Sequence, residues 1–344
     1  MKQRNIRLWA AAIGMIILIL DSRAILFAAQ DAIQLCIRTL IPSLMPFFIF
    51  SSLLTGSLSG RSIALLSPLE KICRIPKGSG TLLIIGMLGG YPAGARCIRE
   101  AVDCGQLSRQ DARRMLAFCN NCGPSFLFGI IAPLFPDARY AWILWLIHIF
   151  GAVFTAFLIP GSSDTLYSSG SDHETTLSDA LESALRTTAI VCGWVIFFRL
   201  VISFLERWLL WRFPVFIQVL ISGILELSNG CIGLDRISSV EDRLLLCSAI
   251  TAFGGLCVSM QTRSVCGDLS LKYYFPGKLI HAGISFVLAL NYLAFSSHSF
   301  IPLTATILLT ADLIIAYCIL SGFRGKNVVA FLGKMMYNLC NTQK

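Results

Sequence analysis

Charged side chains are scarce in this sequence. Asp, Glu, Lys and Arg make up 14% of it and hydrophobic residues 56%, whereas a soluble domain carries about 25% charged residues. So few charges cannot cover so much apolar surface in water, which excludes an ordinary soluble globule. Histidine is scarcer still. The four (His148, His173, His281 and His298) are scattered along the chain. Cys119-Asn120-Asn121-Cys122 has CxxC spacing, but no second such pair supplies the further ligands that a zinc site needs. It also lacks the βαβ setting of a thioredoxin-like motif. Nucleophile elbow, P-loop, dinucleotide fingerprint and HExxH are absent. The expectation is therefore no enzyme, no cofactor and no metal. The net charge of +9 comes from bases at the ends of apolar runs, where the positive-inside rule places them. No basic patch is interleaved with aromatics, so nucleic acid is not expected as a partner. The 13 cysteines are an odd count, and Cys36, Cys192, Cys247, Cys257 and Cys318 lie inside apolar runs. There cysteine behaves as a small hydrophobe, and no disulfide framework follows.

Long uncharged runs, by contrast, are plentiful. Met115–Phe135 has no charge over 21 residues, Tyr140–Ile159 none over 20, Leu279–Ser297 none over 19 and Leu244–Met260 none over 17. Thr187–Leu205 is broken only by Arg199, and Ile301–Leu320 only by Asp312. About 20 apolar residues span a bilayer core. These runs predict an all-α, polytopic integral membrane protein of about 8–10 hydrophobic segments.

Charge at the ends sets an expected orientation. Lys2, Arg4 and Arg7 precede the uncharged Leu8–Leu20, and the tail 321–344 has bases but no acid. Both termini are expected in the cytoplasm. The start resembles a signal peptide, with Ser22-Arg23-Ala24 as a loose cleavage site, but in a membrane-embedded chain an uncleaved first span is expected. The stretch 161–183 has five acids and no Lys or Arg. It reads as an exposed flexible loop on the far side, dividing 35–160 from 184–320, with 1–34 as a first segment and connector. The two halves look weakly alike. Arg38-Thr39 and Arg186-Thr187 each open an apolar run. Arg114 to Pro124 and Arg243 to Gly255 each lead a helix into a small-residue break. Paired broken segments are the best pointer to a transporter site.

Thr81–Gly90 reads as a half-helix and Gly89–Gly94 as an unwound turn carrying Gly90, Tyr91 and Pro92, because glycine and proline weaken helices. In lipid such backbone must be buried in protein or line a cavity. Ser108 and Asp111 have N-cap spacing at the start of a basic surface helix. That helix runs into Asn120-Asn121-Cys122-Gly123-Pro124, whose two amides are costly to bury unsatisfied. Two readings stay open: a ligand or ion site at a broken helix, or amides that bond neighbouring helices together. Glu226, ahead of Asn229, is either a cation or proton site or an interfacial residue. Gly254-Gly255 with Gln261 and Arg263 forms another break, in which Arg263 meets an anion or snorkels. An Arg199–Asp312 pair is a further option. His148 and His281 read as packed, hydrogen-bonded residues.

Several of these stretches carry a resemblance. Leu40-Ile41-Pro42-Ser43-Leu44-Met45-Pro46, Gly89-Gly90-Tyr91-Pro92-Ala93-Gly94-Ala95 and Phe118-Cys119-Asn120-Asn121-Cys122-Gly123-Pro124-Ser125-Phe126 resemble the YlbJ-type sporulation integral membrane proteins of the nucleoside-recognition "Gate" family. Gly223-Ile224-Leu225-Glu226-Leu227-Ser228-Asn229-Gly230 and Ala252-Phe253-Gly254-Gly255 agree more loosely. The resemblance implies a carrier moving dipicolinate out of the mother cell across the outer forespore membrane. Dipicolinate is a small planar dianion. It would call for amides such as Asn120 and Asn121, a base such as Arg263 or Arg96, and rings such as Tyr91 or Phe118. The "Gate" name points instead to a nucleoside or nucleobase. A non-transporting scaffold, or a thiol oxidoreductase using Cys119 and Cys122, is the rival of another class. The expected partners are the bilayer, a small-molecule substrate and, for a coupled carrier, an ion; a homo-oligomer is left open.

Overall fold

The computed structural model describes residues 18–58, 63–159, 161 and 175–296, with isolated positions between 8 and 16. The basic ends 1–7 and 321–344, most of the acidic stretch and the run 301–320 with Asp312 lie outside the described residues. Every described element is a helix, and no strand occurs among the described residues.

Among the described residues, six helical stretches are long and apolar enough to cross a membrane: Ser22–Leu54, Arg109–Leu134, Arg139–Leu158, Leu177–Trp208, Val240–Cys266 and Tyr274–Ser296. The first runs without a stop through residue 35 as α1 (Ser22–Leu35), a π-helical turn (Cys36–Leu40) and α2 (Ile41–Leu58). The π turn has a local cause. Pro42 cannot donate to the carbonyl of Arg38 and its ring crowds it, so the helix widens over that turn. Leu127–Ile131 is also π-helical, and Pro133 lies four residues beyond Gly129 within it.

The remaining helices are α3 (Ser67–Cys73), α4 (Gly80–Leu88), α5 (Ala93–Asp103), α6 (Arg109–Cys119), α7 (Pro124–Phe126), α8 (Arg139–Leu158), α9 (Leu177–Trp208), α10 (Val215–Leu225), α11 (Leu227–Gly233), α12 (Val240–Phe253), α13 (Gly255–Cys266) and α14 (Tyr274–Ser296). Side-chain caps start several of them. Ser108 Oγ accepts from Asp111 N at α6, as its spacing expects. Ser239 caps α12, and Thr176 with Asp179 forms a capping box at α9. Asp179 and Glu182 therefore belong to a helix, although the sequence reads them as the end of a loop. The turn after α4 is likewise shorter than expected, since the helix resumes at Ala93 and Gly94 is helical.

α14 packs on α12, α8 and α6, while α9 packs on α1 and α2. α8 exposes Trp142, Leu146, Phe150, Phe154 and Phe157 along one stripe, a costly face in water and a natural one against lipid. At one end, Arg99 and Arg109 both bond Asp268 in the turn after α13. These bonds, Arg99's first, hold its carboxyl down to about 2. The clamp thus stands at any pH above that value and fails only as pH falls through it.

Arg114 is a second fastening. Its buried guanidinium donates to the carbonyls of Cys73 (2.7 Å), Arg74 (2.9 Å), Ala156 (2.9 Å) and Ile159 (3.3 Å). These close the C-terminal ends of α3 and α8, where unpaired carbonyls and the helix dipole favour a cation. We expect Arg114→Met to lose about 3 kcal/mol or more, since each orphaned buried carbonyl costs about 1–3 kcal/mol. A fall in the melting temperature of the detergent-solubilised protein checks this; an unchanged melt would refute the clamp.

Candidate functional site

Four helices break inside the bundle, two in each half of the chain. α4 gives way to α5 at Gly89–Pro92, and α6 to α7 at Asn120–Gly123. α10 gives way to α11 at Glu226, and α12 to α13 at Gly254. The four interruptions converge. At Gly90 (φ +74°) and Gly123 two backbones meet so closely that a Cβ on Gly123 would lie 2.8 Å from the Cα of Gly90. Tyr91 reaches across to the end of α12. Its hydroxyl donates to the carbonyl of Thr251 at 3.2 Å, with that of Ala252 at 3.4 Å, and its ring lies against Gly254 (φ +79°).

A helix that breaks away from water leaves backbone groups without partners. Here polar side chains take them up. Asn120 Oδ1 accepts from Ala95 N at 3.3 Å, in the first turn of α5. Its Nδ2 donates to Thr262 Oγ1 at 2.9 Å and lies 3.4 Å from the hydroxyl of Tyr274. Asn121 Nδ2 donates to the carbonyl of Phe118 at 2.6 Å. The amide of Cys122 donates to His148 Nε2 at 3.0 Å, and the His281 ring lies tilted against that of His148 with centroids 4.6 Å apart. Glu226 Oε1 accepts from Ser228 N at 2.9 Å. Its Oε2 accepts from Asn229 N at 2.7 Å and from Asn229 Nδ2 at 2.6 Å. The carboxylate thus caps α11, where negative charge is favoured.

Lys278 joins these breaks together. It is 1% exposed. Its ammonium donates to the carbonyl of Asn120, to Asn121 Oδ1 at 3.2 Å and to the Tyr91 hydroxyl at 3.3 Å. Its Nζ also lies 5.0 Å from the centroid of the Tyr91 ring and 5.9 Å from that of Tyr274.

Between the two halves lies a cavity of about 30 Å³. That is room for one or two waters, since a water needs about 10–15 Å³ measured this way. Gly90, Tyr91, Cys122, Gly123, Ser125, Glu226 and Gln261 line it, with Leu40, Leu44, Phe126, Val191, Val195 and Val258 among its apolar walls. A second recess of about 570 Å³ is lined by Asp31, Arg199, Glu206, Asn229, Asp235 and Arg236, among others. Asn229 belongs to this recess and bonds Glu226, which faces the cavity.

Of the residues singled out in the sequence, Gly90, Tyr91, Gly123, Glu226 and Gln261 meet at the cavity. Asn120 and Asn121 sit behind it, around Lys278. Pro92 leads into α5, and Pro124 lines a separate groove with Pro42, Pro46 and Phe47. Asn229 faces the recess. Arg263 donates to the carbonyl of Leu269 at 3.0 Å, and Arg96 bonds Ser183, so neither reaches the cavity. Phe118 is buried under Arg114, its ring centroid 5.3 Å from the guanidinium carbon. Cys119 and Cys122 are buried free thiols. Arg199 pairs with Glu206 (3.1 Å) and approaches Asp31 (3.9 Å), while Asp312 lies outside the described residues. No cluster of three metal-ligating side chains occurs among the described residues. The sequence reading missed Lys278, which stands one residue before the uncharged run Leu279–Ser297. Its spacing of four from Tyr274 was the available signal.

Long apolar helices around buried, interrupted ones define a polytopic α-helical integral membrane protein. The chain is 26% identical to the sporulation integral membrane protein YlbJ of Bacillus subtilis (strain 168), over an alignment of 300 residues covering 74% of each chain. This likeness supports a YlbJ-type assignment and a place in the membrane. No protein-family model matches the chain, and no solved structure matches it.

The Glu226 cap is directly testable. Replacing Glu226 with Ala leaves two buried N–H groups open and should cost about 2 kcal/mol or more. Glu226→Gln, which keeps an acceptor oxygen, should cost less. Thermal melts of both variants measure the difference, and equal melts for Ala and wild type would remove the cap from this account.

Proposed function

We propose that this protein is a carrier that moves dipicolinate from the mother cell across the outer forespore membrane during sporulation. The observation that carries the reading is that three helix interruptions, at Gly90, Gly123 and Glu226, line one cavity, while the fourth, at Gly254, packs on Tyr91 in its wall. Glu226, on that cavity, is hydrogen-bonded to Asn229, which lines a wider recess. Carriers bind cargo at such breaks because there the backbone can leave the helix without facing lipid. The YlbJ protein that the chain resembles is by name a sporulation protein of the membrane. The cavity's apolar walls suit the faces of a flat ring. At about 30 Å³ it is closed around a space smaller than the cargo, so loading requires the breaks to move apart, as in alternating access.

A second reading rests on the polar lining. Arg96 and Arg263 lie away from the cavity, and its polar side chains include a carboxylate, an amide and a hydroxyl. That set also suits a neutral nucleoside.

Deleting the gene in its own host and measuring dipicolinate in mother cell and spore separately tests the first reading. We expect dipicolinate to be made but absent from the spore. Restoring the gene with Leu44→Trp, which fills the cavity, should leave the defect in place while the protein still reaches the membrane. Spores that fill normally after deletion would overturn the dipicolinate reading and move nucleoside uptake to first place.

A further inference from the structure

Among the described residues Lys278 has no counter-charge. No carboxylate lies within ion-pair distance of its Nζ among the described residues. Its three acceptors also fix what it is. The Asn120 oxygen is a carbonyl. Asn121 has its Nδ2 on Phe118 O, which turns Oδ1 to the lysine. The Tyr91 hydroxyl spends its hydrogen on Thr251 O. All three present lone pairs, a set that matches the three N–H bonds of an ammonium. A basic side chain buried in a membrane-spanning helix, with no acidic partner among the described residues, marks a function by default.

Tyr91 is the partition between this ammonium and the cavity, since the same side chain bonds Nζ and lines the cavity wall. Its hydroxyl lies 3.2 and 3.4 Å from the carbonyls of Thr251 and Ala252, beyond the usual about 2.7–2.8 Å for a hydroxyl donating to oxygen, and 3.3 Å from Nζ, just beyond the about 2.7–3.2 Å of N–H···O bonds. It follows Gly90, whose backbone is left-handed. On the cavity side, Ser125 is 4% exposed and its hydroxyl has no partner among the described residues. The cavity therefore holds an unused hydrogen-bonding group, with the Lys278 nitrogen one side chain away.

We propose that Lys278 is the anchor for a carboxylate of a planar aromatic acid, reached when Tyr91 swings aside and gives its space to the cavity. This rests on the carrier reading above and assigns the cargo's charge to one residue. A carboxylate that replaces the Tyr91 hydroxyl exchanges a bond in which only the lysine can carry charge for one between two charged groups, which is the stronger. Ser125 is placed to donate to the same ligand.

The test is calorimetric titration of the full-length protein in lipid nanodiscs with dipicolinate, picolinate, pyridine and uridine. Wild type should bind the two acids in preference to pyridine and uridine. Lys278→Gln should weaken dipicolinate binding about 10-fold or more, the loss of one charge-assisted contact. Tyr91→Phe removes the competing hydroxyl and should bind as tightly as wild type or tighter, whereas a merely structural Tyr91 would bind less well. Should Lys278→Gln fail to fold, Tyr91→Phe and Ser125→Ala (expected to bind a few-fold more weakly) still decide the matter. Equal binding by wild type and Lys278→Gln, weaker binding by Tyr91→Phe, or preference for uridine would overturn the assignment. If dipicolinate binds through Lys278 yet spores fill normally without the gene, the carrier reading fails and the anchor stands. If spores stay empty but Lys278→Gln binds as wild type does, only the anchor fails.

Discussion

A peptide group that leaves a helix inside a membrane has no water to turn to, and this protein breaks four helices where they are buried. The rest of the structure answers that constraint. Each break sits beside a side chain whose hydrogen-bonding sense matches the group released. Amide N–H groups meet the Glu226 carboxylate and His148 Nε2. Carbonyls meet the Asn121 amide, the Tyr91 hydroxyl and the Lys278 ammonium. Opposite charges thus stand at opposite kinds of helix end. The carboxylate is at the start of α11 and the ammonium is at the end of α6, as the helix dipole favours.

The partners come from distant parts of the chain, so the breaks are also fastenings. Tyr91 belongs to the first half, yet it closes the end of α12 in the second. Lys278, on the last described helix, closes the end of α6. Moving any one break disturbs the partners of another. Such linkage turns a local displacement into motion of one half against the other, because packed and hydrogen-bonded interiors switch between arrangements more readily than they stretch.

Much of this was legible from residue types. The uncharged runs marked the spans, and glycine, proline and amide clusters marked breaks at Gly89–Pro92, Asn120–Gly123 and Gly254. What the residue types left open was the direction in which each polar group points. Asn120 and Asn121 could have faced a ligand or a neighbouring helix; the structure turns both toward backbone, Thr262, Tyr274 and Lys278. Arg263 and Arg96 drew notice as bases near breaks, but both end on partners outside the cavity. Lys278 escaped notice because a charge next to an apolar run ordinarily marks where a span leaves the membrane.

The sequence by itself determined that this chain lives in a bilayer and that its helices are interrupted. Hydrophobic run length and the missing donors of proline act locally, within a turn or two of the residue concerned. Only the tertiary structure decided which interruptions meet, which side chain closes which break, and that Lys278 lies behind Tyr91. Those outcomes depend on contacts such as that of Lys278 with Asn120, 158 residues apart. Periodicity and propensity end with the helix, and the pairing of one helix's broken end with another's side chain is set by packing across the whole bundle.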